Sequence, residues 1–295
     1  MITLGNLELD HPFMNAAGTC KSLEDVQRFV RSDVSAILVG SITMESRQGN
    51  EGNVYHKTPH YALGMPNRGK TYYRSILPQM VVLAHAAGKS LGVSVAGFNS
   101  DEYGQLTELC LESGVDFIEL NLGCPNIWEG GVQKRIVSFD PMSVANVLST
   151  VEHDFPNNVT LGVKLSPYSD PELLRDVAQI IGDEPSPVEY VATSNTFPNG
   201  FAFDGTGHSA IGVERAGVSG EAMKAIGMGQ VDQFREYLPV SIAIVGVGGI
   251  FGGQDVVDYL HIGAAAVQVS TAYWNANEDV SIFGRILAEY MELVS

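Results

Sequence analysis

A closed barrel of eight parallel strands alternating with helices, a (β/α)8 TIM barrel, is the fold class that this 295-residue sequence predicts. Three observations carry the prediction. Eight short β-rich runs recur, at 13–17, 36–41, 92–96, 117–121, 160–165, 190–195, 241–246 and 265–270. Helical-period segments separate them, at 23–31, 75–87, 102–112, 143–153, 171–181, 221–237 and 253–261, and a last one at 281–292 closes the chain. The runs are apolar nearly throughout, as strands of a parallel sheet buried on both faces are. An open doubly wound sheet would need fewer strands or a second domain. No linker, charge block or low-complexity stretch divides residues 1–295, so one domain is expected.

Ahead of the first barrel strand, Gly5-Asn6 sits between Ile2-Thr3-Leu4 and Leu7-Glu8-Leu9, which predicts a short N-terminal hairpin able to plug the barrel's bottom. Three long connections without a regular pattern, 43–71, 124–142 and 195–219, each follow a strand and open onto the face where barrels do chemistry. Acidic residues outnumber basic ones by 34 to 17, a formal charge of −17 that disfavours nucleic acid and anionic membrane. A small anion remains possible, because it needs only one or two cations and some backbone N–H groups. The three cysteines (Cys20, Cys110, Cys124) form no disulfide framework and no metal-ligand spacing, so a reducing cytoplasmic setting is expected. No run approaches a membrane span, and the N-terminus does not read as a signal peptide.

Polar residues accumulate at the strands' C-terminal ends. Strand one leads into Gly18-Thr19-Cys20-Lys21, strand two ends in Gly40-Ser41, and the following loop carries Gly64-Met65-Pro66-Asn67. Strand four delivers Asn121, Cys124 and Asn126, strand five Lys164 and Ser166, strand six Asn195 and Thr196. Singly, each reads as a capped loop residue, and Cys124 alone as a buried structural thiol. Together on one rim they predict a site in which carboxamides bind a flat polar heterocycle and Cys124 moves a proton. Lys164 interrupts an apolar strand, which needs a partner for its charge. It reads as a cation held against an electron-rich cofactor, or as a Schiff-base lysine. Near the end, Val245-Gly246-Val247-Gly248-Gly249-Ile250 and Gln268-Val269-Ser270-Thr271 lie after strands seven and eight, the usual barrel phosphate cradle. From Gly246 and Gly248 the dinucleotide fingerprint would need a glycine at 251, where Phe251 stands, so a mononucleotide is expected rather than NAD.

Taken together, Asn15-Ala16-Ala17-Gly18, Arg47-Gln48-Gly49-Asn50, Met65-Pro66-Asn67, Asn121-Leu122-Gly123-Cys124-Pro125-Asn126, Gly162-Val163-Lys164 and Val247-Gly248-Gly249-Ile250 resemble the dihydroorotate dehydrogenases nearly end to end. The resemblance implies an FMN-dependent oxidoreductase of pyrimidine biosynthesis that oxidises dihydroorotate to orotate. A base on the strand-four loop takes the substrate's C5 proton while a hydride passes from C6 to flavin N5. Cys124 matches the base of the soluble class. Asn67, Asn121, Asn126, Asn195 and Thr196 match positions that hold the pyrimidine. Ala17, Gly18, Ser41 and Lys164 match flavin-ring contacts, and Gly220, Gly248, Gly249, Ser270 and Thr271 match phosphate contacts. By the same resemblance the protein is a homodimer.

Two departures from the soluble class stand out. That class usually ends strand two in Lys, where this chain has Gly40, and Lys21 occupies the position used by the membrane-attached class. Lys21 is therefore expected to supply the missing catalytic cation. The loop after Asn126 carries Trp128 and an altered length, and is expected to close over the substrate. The alternatives are a flavin enzyme of another dihydropyrimidine, a Schiff-base lyase using Lys164, and a barrel that only binds. Fumarate, oxygen and a partner-delivered NAD route stay open as electron acceptors.

Overall fold

Alternation with period two sorts the side chains of the barrel strands into two cores. In the computed structural model, which describes residues 2–56, 60–129, 132–152, 155–183, 186–213 and 215–295, strands one to eight are Phe13–Asn15, Ala36–Ile42, Ser90–Val95, Phe117–Asn121, Thr160–Leu165, Val188–Thr193, Ala243–Val247 and Ala266–Val269. Residue 153 of the fourth expected helix, and 57–59, 130–131 and 214 of the long connections, lie outside the described residues. Outward residues such as Val39, Val93, Ile118, Val163, Val191, Ile244 and Val267 pack under the helices. Inward residues such as Met14, Leu38, Phe117, Tyr190, Val245 and Ala266 fill the barrel. Gly92 and Gly162 leave the space taken by the rings of Phe117 and Tyr190; a Cβ at either glycine would overlap the ring.

The strands form one eight-stranded parallel sheet in the order one, eight, seven, six, five, four, three, two. Its seam, between strands one and two, is closed by a side chain. The buried Asn15 carboxamide donates to the Leu38 carbonyl (2.8 Å) and accepts from the Leu38 N–H (2.9 Å), standing in for a backbone rung. Gly18 N–H to the Gly40 carbonyl (2.6 Å) and Gly40 N–H to the Cys20 carbonyl (2.8 Å) continue the seam toward the rim.

The expected hairpin forms between Ile2–Leu4 and Leu7–Leu9, turning at Gly5, whose φ of 58° suits glycine. Its Leu4, Leu7 and Leu9 join the inner core, and the Thr160 hydroxyl ties it to the start of strand five by donating to the Leu4 carbonyl (3.0 Å). It therefore seals the barrel's N-terminal mouth.

Two expectations need correction. The second helix spans Gly69–Ala86 rather than 75–87, because the buried Tyr73, whose hydroxyl donates to the Lys21 carbonyl, carries it past the expected start. The connections after strands two and six are not patternless. Tyr55–His56, His60–Tyr61, Ala216–Val218 and Phe197–Gly200 form a four-stranded antiparallel sheet across them. Strands this short leave no periodicity to read, and the pairing of Ala216–Val218 with His60–Tyr61 joins two connections far apart in sequence. Among the described residues, no helix is long and apolar enough to cross a membrane.

Candidate active site

The C-terminal rim opens into a cavity of about 980 Å³, part of it open to solvent. The ends of strands two, four and six supply much of its polar wall. Asn121 ends strand four pointing inward, two positions beyond Glu119 and on the same face. Its carboxamide donates to Ser41 Oγ (2.8 Å) and accepts from Asn195 Nδ2 (3.1 Å). Ser41 Oγ in turn bonds Ser94 Oγ (2.8 Å), and Asn195 Oδ1 accepts from the Thr196 N–H (2.9 Å). This chain of polar groups fixes which edge each amide presents. Asn126 Oδ1 accepts from the Gly217 N–H (2.8 Å), binding the strand-four loop to the antiparallel sheet.

Cys124 sits half-buried in the wall between this cavity and a second one behind it. Burial pushes its thiol up, while the Asn126 N–H and the charges of Arg47, Lys164 and Lys21 pull it down. Lys21 lines the same cavity, with burial lowering its ammonium to about 8 against the opposing pull of Asp25, Cys124 and Glu278. A lysine at position 40 has no room: Gly40 has φ 114°, and a Cβ there would collide with the Ser94 carbonyl. The cation thus arrives from the loop after strand one instead.

Lys164 is 4% exposed, and its Nζ donates to Gln268 Oε1 (2.9 Å). Gln268 Nε2 donates to Glu119 Oε2 (2.5 Å), which also receives the Tyr190 hydroxyl (3.4 Å). Burial lowers the Lys164 pKa, and Glu119 followed by Cys124 raises it. Gln268 and Glu119 were missed as partners of Lys164 by the sequence reading. The signal was present, because Glu119 shares the inward face of strand four with Asn121, but period two cannot say which strand lies opposite.

Gly220, Gly248 and Gly249 adopt φ of 77°, 121° and 66°, conformations that glycine allows. Among the described residues, no acceptor is found for the backbone N–H groups of Gly220, Gly248, Gly249, Ser270 and Thr271. All five residues line the cavity, as do Ala17 and Gly18. Three buried hydroxyls on the same lining, Ser194 Oγ, Thr196 Oγ1 and Ser219 Oγ, also lack a partner among the described residues. Leaving such groups unpaired costs about 1–3 kcal/mol each, so the site is shaped for a polar occupant. Two lysines, an N–H cradle and small apolar walls at Ala16, Ala17, Val247 and Val269 suit a flat ring bearing a phosphate.

Among the described residues, Asn67 and Trp128 do not line the cavity. The Asn67 carboxamide is engaged in its own loop, accepting from the Thr43 and Gly69 N–H groups and donating to Thr43 Oγ1 and the Met65 carbonyl. Trp128 stands in a short hairpin, Trp128–Glu129 against Val132–Gln133, so the loop after Asn126 has an ordered core. Cys20 and Cys110 are buried in the core between helices and sheet, and neither lines the cavity.

The chain matches the family model for dihydroorotate dehydrogenase over residues 1–294. It is 31% identical over 307 residues to dihydroorotate dehydrogenase A (fumarate) of Lactococcus lactis subsp. lactis, covering 99% of this chain and 93% of that one. It is also 31% identical over 297 residues to dihydroorotate dehydrogenase (fumarate) of Lachancea kluyveri, covering 98% and 91%. A solved structure of the Eimeria tenella enzyme in complex with ferulenol superposes with a TM-score of 0.80 over 99% of this chain and 83% of that one. At 19% identity that likeness speaks for the fold, the (β/α)8 barrel. The chain belongs to the dihydroorotate dehydrogenase family.

Proposed function

We propose that this protein is an FMN-dependent dihydroorotate dehydrogenase, oxidising dihydroorotate to orotate in pyrimidine biosynthesis with Cys124 as its base. One observation carries the reading: a cysteine, two lysines, the carboxamides of Asn121, Asn126 and Asn195, and a glycine cradle share a single cavity. Gly220, Gly248, Gly249, Ser270 and Thr271 would hold the FMN phosphate through their N–H groups, with Ala17, Gly18 and Ser41 beside the ring. Bound FMN would supply the two-electron sink that takes the hydride leaving substrate C6. Lys164, donating to Gln268 with protons to spare, would hold negative charge at the ring's polar edge.

Asn121, Asn126, Asn195 and Thr196 would orient the pyrimidine so that C5 faces Cys124. Cys124, as thiolate, would take the C5 proton as the C5=C6 double bond forms, and the resulting thiol would return that proton to solvent before the next cycle. Burial opposes ionisation of the thiol, and the cations of Arg47, Lys164 and Lys21 counter it in part, so the thiolate would form once substrate and flavin are in place. Lys21 would supply the cation that the Gly40 position cannot, set against the substrate carboxylate or the flavin. Asn67 supports the site by holding the loop after strand two, and would reach substrate only if that loop rearranged. Fumarate is the electron acceptor to test first, being the one in the relatives' names. The setting we propose is a cytoplasmic homodimer, checked by light scattering of the purified protein.

The deciding experiment is anaerobic addition of dihydroorotate to flavin-loaded protein while the oxidised flavin band is followed. Bleaching within the mixing time of a manual assay is expected. A band that persists with dihydroorotate yet bleaches with another dihydropyrimidine would reassign the substrate.

A further inference from the structure

The N–H groups of the cradle come from separate loops, and an anion is gripped only if those loops keep a fixed relation. We propose that Lys224, held between Asp255 and Asp258, is the positioning residue for the phosphate cradle. It locks the turn after strand seven to the helix after strand six, so that both sets of N–H groups face one anion. The proposal rests on the flavin reading above and extends it to residues that do not line the cavity.

Four contacts define the lock. The helix Met223–Tyr237 starts without a side-chain cap, next to Gly220. Its second residue, Lys224, lies directly on the glycine turn, where a Cβ on Gly249 would stand 2.6 Å from both Lys224 Cβ and its backbone N. From there Lys224 Nζ donates to Asp255 Oδ1 (2.7 Å) and Asp258 Oδ2 (2.6 Å) on the helix Gly253–His261. The other oxygen of Asp255 accepts from the N–H groups of Phe251 (2.8 Å) and Gly252 (3.0 Å), the exit of the same turn. One carboxylate therefore grips the turn with one oxygen and the neighbouring helix, through Lys224, with the other. Behind them the Tyr259 hydroxyl donates to the Gly248 carbonyl (2.8 Å), engaging that carbonyl while its peptide neighbours line the cavity.

Charge alone does not explain the cluster. Lys224, Asp255 and Asp258 keep 28%, 20% and 30% of their side-chain surface exposed, and ion pairs in such settings add little to stability by attraction alone. Two carboxylates and one ammonium carry a net negative charge close to an anion site, the wrong sign for attraction. Geometry is what the cluster supplies. Without Lys224 the helix and turn lose their bridge, and two unneutralised carboxylates remain near the phosphate.

Riboflavin, which has the same ring without the phosphate, separates this role from a general structural one. Apoprotein prepared from the loaded enzyme is titrated with FMN and with riboflavin by flavin fluorescence quenching. Wild type is expected to prefer FMN by about 100-fold or more; Lys224→Met should weaken FMN by about tenfold or more and riboflavin by less than about twofold, with Lys224→Arg restoring most of the difference. Unchanged FMN affinity in Lys224→Met, or equal weakening toward both flavins, would overturn the proposal. If Lys224→Met does not fold, Lys224→Gln is read by the same ratio: a drop of about threefold or more supports the lock, and an unchanged ratio sinks it. A wild type that binds neither flavin defeats the flavin reading, and one that binds both equally defeats the cradle. Either result removes the proposal, at a recognisably different step.

Discussion

Cys124 owes its chemistry to its neighbours. Burial raises the thiol's pKa, and the Asn126 N–H and the three cations around it hold back that rise without reversing it. Cys124→Ala is expected to keep FMN and to slow substrate-driven flavin reduction by about 100-fold or more, measured in an anaerobic stopped-flow single turnover. Lys21 should leave its mark in the pH profile. With its pKa at about 8 in the free protein, kcat/KM should fall as pH rises through that value. In Lys21→Met that falling limb should vanish and the plateau should drop, and a limb that persists would assign it to another group. The sign for stability is opposite. The folded pKa lies below the unfolded value of 10.5, so the penalty for burying the charged lysine is complete below pH 8 and is relieved as pH rises from about 8 to 10.5. Lys21→Met should therefore raise the apoprotein's Tm by a few degrees at pH 7, and by less at pH 10, in differential scanning calorimetry.

Strand elements set where these side chains arrive, and the barrel seam depends on one of them. Asn15→Leu leaves the N–H and carbonyl of Leu38 without their partner in a buried setting. At about 1–3 kcal/mol for each stranded group, a loss of about 2–6 kcal/mol is expected, read as a lower urea midpoint. An unchanged midpoint would mean that the flanking backbone bonds carry the seam alone. The strand ends were legible because a polar residue at the end of an apolar run stands out: Asn121, Lys164 and Asn195 all reach the cavity. What lies across from them was not legible. Lys164 finds Gln268, and through it Glu119, because strands five, eight and four converge inside a cylinder, a relation among segments more than a hundred residues apart. Asn67 shows the reverse case. Its motif marks the family, yet its amide is occupied by its own loop, which only the backbone path around 43–69 reveals.

On the scale of the whole molecule, the N-terminal hairpin and the cavity-lined rim stand at opposite ends of one barrel, the hairpin sealing its end and the rim opening at the other. Removing residues 1–9 would uncover the inner core around Met14, Phe117 and Tyr190, which Leu4, Leu7 and Leu9 now cover. The truncated protein should unfold about 10 °C or more below the full chain by circular dichroism, because several large apolar side chains lose their burial at once. A similar Tm would show that the hairpin is only an ornament of the fold. By itself the amino-acid sequence determined the barrel and the hairpin through local periodicity, and marked the thiol, Lys164 and the late glycines of the candidate site by residue types out of keeping with their surroundings, while Lys21 was picked out by the family resemblance. Only the tertiary structure shows that a Cβ at position 40 would meet the Ser94 carbonyl while Lys21 lines the cavity, that two distant connections pair into a sheet, and that Lys224 bridges the helices Met223–Tyr237 and Gly253–His261. Those outcomes depend on which atoms meet across space, and local periodicity is blind to pairings between segments that come together only when the barrel closes.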